Sequence, residues 1–211
     1  MKRFNFLFVF ITSLLFTLVS KAQADRLEPV SGIFSIYDFQ FDYYSSVRKI
    51  LLSKLSDDPE IRFLILPSFA PERVLDIEKD KTDNKFYLIL HKAQQNIWYS
   101  REKSKIKIDS AKKEISYTSV ACVKKLFKKA IYKAKFPEKP TQGLDGTDYY
   151  FSVEDYGQKT ATTWSPTAES KIAKLVDIAN RLIEFVNSNS TKVEFDLAFS
   201  QEIEDLIPKL D

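Results

Sequence analysis

The stretch IRFLILPSFAPERVLDIEKDKTDNKFYLILH, residues 61–91, carries three strand patterns in a row with no helical spacing between them. Residues 61–66 are apolar except for Arg62, the pattern of a strand covered on both faces. Residues 73–78 alternate, with Leu75 and Ile77 sharing a face. A polar turn, DKTDNK, precedes a third apolar run at residues 85–91. Adjacent strands joined by short connections pair antiparallel, whereas parallel strands need long crossovers.

Further along, IWYS at residues 97–100 reads as the start of a fourth strand. KIKID and KEISY place Ile106, Ile108, Ile115 and Tyr117 on one face, with the polar SAKK between them as a hairpin loop. Residues 119–135 switch to helical spacing. Val120, Val123, Leu126, Phe127, Ala130, Ile131 and Ala134 form one arc, and Lys124, Lys125, Lys128, Lys129, Lys133 and Lys135 the other. After a proline-broken link at residues 136–143, residues 148–154 and 159–164 read as a strand pair around DYGQ. Ser165-Pro166 has the chemistry of a helix start, with serine as cap and proline at the first position. The apolar stripe that follows runs from Ile172 to Val186. Residues 191–197 alternate as a strand, and a short helix is expected from Ser200. Before the strand run, Val47, Ile50, Leu51 and Leu55 mark a helix over residues 41–56, stopped by SDDP. Runs of strands interrupted by helices imply an α+β fold: a largely antiparallel sheet with amphipathic helices packed mainly on one face.

The N-terminus bears on destination. Lys2 and Arg3 precede FNFLFVFITSLLFTLV, which is uncharged, and SKAQA places Ala22 and Ala24 at small-residue cleavage positions. This is the layout of a secretory signal peptide, with cleavage expected after Ala24. The other reading is a retained anchor, for which the apolar run is short of the ~20 residues a span needs. Residues 25–211 are then expected to form a single globular domain, exported to the periplasm or beyond the cell. The leader holds Lys2, Arg3 and Lys21 and no acid, so the chain's 32 basic residues fall to 29 after cleavage, equal to its 29 acids. No global basic field remains, and specific nucleic-acid binding is not expected. Cys122 is the single cysteine, so no internal disulfide forms. Asn189-Ser190-Thr191 is a glycosylation sequon, of consequence only in a eukaryotic secretory route.

Several chemistries lack their parts. One histidine and one cysteine cannot build the usual zinc cages, so no metal site is expected. Four glycines leave no dinucleotide or phosphate loop, and no cofactor is expected. There is no G-x-S-x-G elbow. Carboxylates are plentiful, but nothing marks a hydrolytic pair. One enzymatic reading is a thiol dyad: Cys122 in the first turn of a helix capped by Thr118 or Ser119, with His91 at a strand end as base. The plain alternative is a small residue at the edge of an apolar arc and a histidine on a sheet surface. The lysine arc, above all Lys124, Lys125, Lys128 and Lys129, is either a solvated face or a weak contact for an anionic surface.

The glycines themselves are unevenly placed. Gly143, Gly146 and Gly157 fall within residues 143–166, as does Trp164, one of two tryptophans. Asp145-Gly146 and Gly157 read as turns, the glycines accepting positive φ without strain. Asp145, Thr147, Tyr149 and Trp164 form the candidate binding surface. Tyr149, Phe151 and Val153 share one strand face and Tyr150 and Ser152 the other, which leaves one row for a ligand or for helix packing. PSFAPE reads as a rigid connection, and Ile97-Trp98-Tyr99 as either core or an exposed aromatic rim.

PSFAPE, Ile97-Trp98, LDGTDYYF and TATTWSP, taken as a set, resemble a group of exported bacterial proteins of unknown function. The resemblance spans about two-thirds of the chain after the leader. It implies a bacterial, exported, single-domain protein and no particular chemistry. The leading expectation is a non-enzymatic binding or interaction protein, its partner an unidentified protein or small ligand. A hydrolase using Cys122 and His91 or a carboxylate pair, and a structural envelope-associated protein, are the alternatives.

Overall fold

The computed structural model describes residues 25–32, 40–137 and 145–211. The expected leader, Gly143 and part of the proline-containing link lie outside the described residues. Among the described residues seven strands form one sheet: β1 (Glu28–Val30), β2 (Ile61–Pro67), β3 (Arg73–Lys79), β4 (Phe86–Ala93), β5 (Ile108–Ile115), β6 (Thr147–Glu154) and β7 (Gln158–Trp164). Their spatial order is β1-β7-β6-β2-β3-β4-β5, and every neighbouring pair is antiparallel. The described α-helices are α1 (Phe41–Leu51), α2 (Tyr117–Tyr132), α3 (Lys171–Asn187) and α4 (Leu197–Leu206). This is the expected α+β arrangement.

Alternation on β2 sets the two faces. Ile61, Phe63 and Ile65 point into a core shared with α2, α3 and α4. There Phe151 of β6 meets Phe63 at 4.9 Å and Phe127 of α2 at 5.1 Å. Leu64 and Leu66 point the other way, to Tyr43, Tyr44, Val47 and Leu51 of α1. A strand apolar on both faces is therefore one buried on both faces. The α1 face also buries polar groups that satisfy one another. Arg62 forks onto Asp76 at 2.8 and 2.5 Å, and Ser152 and Thr160 share a hydrogen bond of 3.0 Å.

Five details differ from the pattern reading. Residues 97–100 form a turn, not a strand. Residues 108–115 are one strand, with SAKK inside it rather than looping out. Ile108 and Ile115 are an odd seven residues apart, so they face opposite cores, Ile108 packing beside α1 and Ile115 beside α2. Ser116, not Thr118 or Ser119, caps α2, its Oγ accepting from the Ser119 amide. Ser170 caps α3, because Ser165 is already bound to the sheet. The Ser165 Oγ accepts from the Thr147 amide at 2.9 Å, and the Ser165 amide donates to the Thr147 carbonyl at 2.9 Å. Residues 191–196 form no strand. Only Phe195 is buried there, between Phe185 and Phe199, while Asp196 caps α4.

Candidate binding site at the loop end of the sheet

Four connections meet where β2, β4 and β7 end and β3, β5 and β6 begin: residues 68–72, 94–107, 145–146 and 165–170. PSFAPE, Ile97-Trp98, Asp145-Gly146-Thr147 and Trp164-Ser165-Pro166 are thus neighbours in space. Backbone and hydroxyl groups stitch them together. The Gly146 amide donates to Ser68 Oγ at 3.0 Å and the Ser68 amide to the Gly146 carbonyl at 2.8 Å. Asn96 Nδ2 donates to the Ala70 carbonyl at 2.8 Å, and Asn96 Oδ1 accepts from the Tyr99 amide at 3.0 Å.

Glycine at 146 is demanded by close approach, not by the positive φ expected of a turn pair. A Cβ there would sit 2.6 Å from the Trp164 ring and 2.4 Å from Ser165 Oγ. Gly157, in the β6–β7 hairpin, does have the expected positive φ, at 99°.

Glu72 locks this end from inside. Its side chain is fully buried. It accepts from the Tyr43 hydroxyl at 2.9 Å and from the Ile97 amide at 2.8 Å, and its backbone carbonyl accepts from the Ala93 amide at 2.9 Å. Burial pushes the Glu72 carboxyl above its usual range, against the lowering effect of these donors. Burial and the adjacent Glu72 push the Tyr43 phenol up in turn. One carboxylate so ties α1, the 68–72 loop and the 96–99 turn to each other.

Outside this lock stands an aromatic rim. Phe69 is 70% exposed and Tyr99 59%, their rings nearly parallel with centroids 6.2 Å apart. Trp98 is 46% exposed and packs edge-on to Tyr43 at 5.0 Å. Beside it lies a shallow cleft of about 200 Å³ lined by Gln40, Asp42, Tyr43, Trp98 and Lys103. Ile97 alone of its tripeptide turns inward, where it is fully buried. Both readings of Ile97-Trp98-Tyr99 are thus realised, one residue as core and two as rim. The two prolines flanking Ser68-Phe69-Ala70 are the sequence signal for the other half. They stiffen a loop that exposes a phenylalanine.

The residues expected to form one surface are divided. Tyr149 stacks on Phe63, 5.9 Å away and 5° from parallel, on the three-helix side. Trp164 is in register with Asp148 and so lies on the opposite face from Tyr149. Thr147 is half-buried where it pairs with Ser165, and only Asp145 is exposed. Cys122 and His91 are likewise not brought together. His91 is buried on the α1 side with Nδ1 2.9 Å from the Leu51 carbonyl, whereas Cys122 packs against the other core. Cys122 falls in the second turn of α2, beside Glu204, and burial pushes its thiol up rather than down. The two fully buried carboxylates, Glu72 and Asp76, are occupied by the chain's own donors, and no group of three or more metal-ligating side chains occurs among the described residues.

All of the lysine arc except Lys135 is spent on ion pairs. Lys124 meets Glu60, Lys125 meets Glu204, Lys128 meets Asp155, and Lys129 and Lys133 share Asp211. The outer side of α2 is a mixed-charge surface joined to α4 and the last residues, not a cationic field. No helix among the described residues is long and apolar enough to cross a membrane. No protein-family model, curated protein or solved structure matches the chain.

Proposed function

We propose that this is an exported, non-enzymatic binding protein that meets its partner through the rim of Phe69, Trp98 and Tyr99. The observation that carries this reading is the exposure of three large aromatics on adjoining loops pinned from within, Phe69 stacked on Tyr99 and Trp98 next to Tyr99 in the chain. An exposed ring that orders water is unfavourable, and on a pinned loop it cannot fold back to hide. Contact surfaces are enriched in such pre-positioned aromatics, because little side-chain entropy is lost when they bind. The leader-like N-terminus supports export, and the separation of Cys122 from His91 leaves the thiol-dyad alternative without a geometry.

The test uses the mature chain immobilised beside a Phe69→Ser/Tyr99→Ser variant, each incubated with envelope extract from the source cell. The expected result is material retained by the wild type and released by the variant, with both proteins melting alike. Equal retention by the two would remove the rim as the binding surface.

A further inference from the structure

The loop that supplies Trp98 and Tyr99 continues as REKSKIK, residues 101–107, four cations against one acid. Only Lys105 is neutralised locally, by Glu102 at 2.5 Å. Among the described residues, Arg101, Lys103 and Lys107 form no ion pair. This contrasts with α2, where Lys124, Lys125, Lys128, Lys129 and Lys133 all do. Lys103 lines the same cleft as Trp98, with Asp42 as the one acid there, and Arg101 and Lys107 are exposed on the same 94–107 connection that carries Trp98 and Tyr99.

We infer that this end of the molecule docks on an anionic phospholipid surface, with Phe69, Trp98 and Tyr99 entering the interface and Arg101, Lys103 and Lys107 facing the headgroups. This deepens the proposed function and rests on its assignment of the rim as the binding surface. Tryptophan and tyrosine settle at the headgroup level, where one part of the ring is dry and another wet. Phenylalanine has no polar atom to satisfy and gains only by entering an apolar phase. Cations beside such rings are drawn to the negative potential of anionic lipids, and neither signal alone gives firm attachment. The charge complementarity is local, since the mature chain as a whole is neutral.

The mature chain is mixed with vesicles of phosphatidylcholine, with or without about a third phosphatidylglycerol, and sedimented at low and at high salt. Binding is expected only with the anionic lipid, and to weaken as salt rises. Brominated acyl chains should quench Trp98, read as the emission lost in a Trp98→Phe variant, leaving Trp164 as background. Phe69→Ser/Tyr99→Ser and Arg101→Glu/Lys103→Glu should each weaken partitioning roughly tenfold or more. Lys124→Gln/Lys125→Gln/Lys128→Gln/Lys129→Gln should leave it unchanged. Circular dichroism melting checks that each variant is folded. Equal binding to neutral vesicles, wild-type binding by the rim variants, or no binding at all overturns the membrane assignment. If vesicles fail while extract components are still retained through Phe69 and Tyr99, the rim reading survives and its partner is a protein. If the rim variants match the wild type in both experiments, both readings fall.

Discussion

Glu72 and Asp76 are both fully buried carboxylates, and burial raises both above the ordinary carboxylate range, Asp76 to about 6. Asp76 faces the fork of Arg62, a permanent cation. Glu72 faces only neutral donors, the Tyr43 hydroxyl and backbone amides, and burial raises its carboxyl above the ordinary value of 4.5. The folded chain therefore keeps the Glu72 proton to a higher pH than the unfolded chain does. In that window the native state binds more protons, so this contribution to stability is fully present below 4.5 and declines as pH rises through the folded-state value. Glutamine at this position cannot ionise. Its carbonyl still accepts from the Ile97 amide, and its amide group can donate to the Tyr43 oxygen. Urea unfolding midpoints of wild type and Glu72→Gln, taken from pH 4 to pH 8, are expected to shift progressively in favour of the variant as pH rises. A wild type that gains on the variant with rising pH would contradict the burial argument.

Two serines near the start of α3 show why an element's existence is easier to read than its boundary. Ser165-Pro166 has helix-start chemistry, yet Ser165 sits at a φ of 36° with its hydroxyl committed to the Thr147 amide. Ser170 does the capping, its Oγ accepting from the Ala173 amide at 3.0 Å. Ser170→Ala is accordingly expected to cost about 1 kcal/mol in urea unfolding, and Pro166→Ala less than half of that. Equal costs would restore Pro166 as the launch point. The aliphatic stripe of α3 was legible because eight of its residues are buried on one side, a signal that survives a displaced cap. Strand β5 was misread for the opposite reason. It is an edge strand whose polar middle faces solvent, and charges such as Lys112 guard an edge against pairing with another chain. Local pattern does not distinguish that from a hairpin loop. The rim was half legible. Trp98 and Tyr99 stood out by residue type, but Phe69 joins them only through pairing of β2 with β3 and β3 with β4, and Glu72 looked like any surface acid. The proposed group of Tyr149 and Trp164 failed on parity, since residues 149 and 164 fall on opposite faces once Asp148 is paired with Trp164.

Across the whole molecule the two faces of the sheet are unequally protected. On one side α2, α3 and α4 cover the strands over one shared core, with α2 and α3 each touching α4, so that releasing any of them exposes its neighbours as well. On the other, α1 stands as the only described α-helix, without a side-chain N-cap and with four buried residues, Tyr43, Tyr44, Val47 and Leu51. Burying those four contributes about 6–12 kcal/mol, while ordering its 11 residues costs at least a comparable amount of backbone entropy. Its attachment is therefore marginal and leans in part on polar ties, among them Tyr43 to Glu72 and the Leu51 carbonyl to His91. We expect α1 to open as a unit below the global unfolding free energy. Hydrogen exchange read by mass spectrometry at increasing sub-denaturing urea should show its amides exchanging first, with a small urea dependence. The central strands β2, β3 and β6 should follow only with global unfolding. Because Tyr43 is the helix's link to Glu72, Tyr43→Phe should lower the α1 opening energy while leaving exchange of β2 and β6 to follow the global stability. If α1 amides instead share the urea dependence of β2 throughout, the helix belongs to the same cooperative unit, and the loop end carrying Phe69, Trp98 and Tyr99 is clamped as firmly as the core.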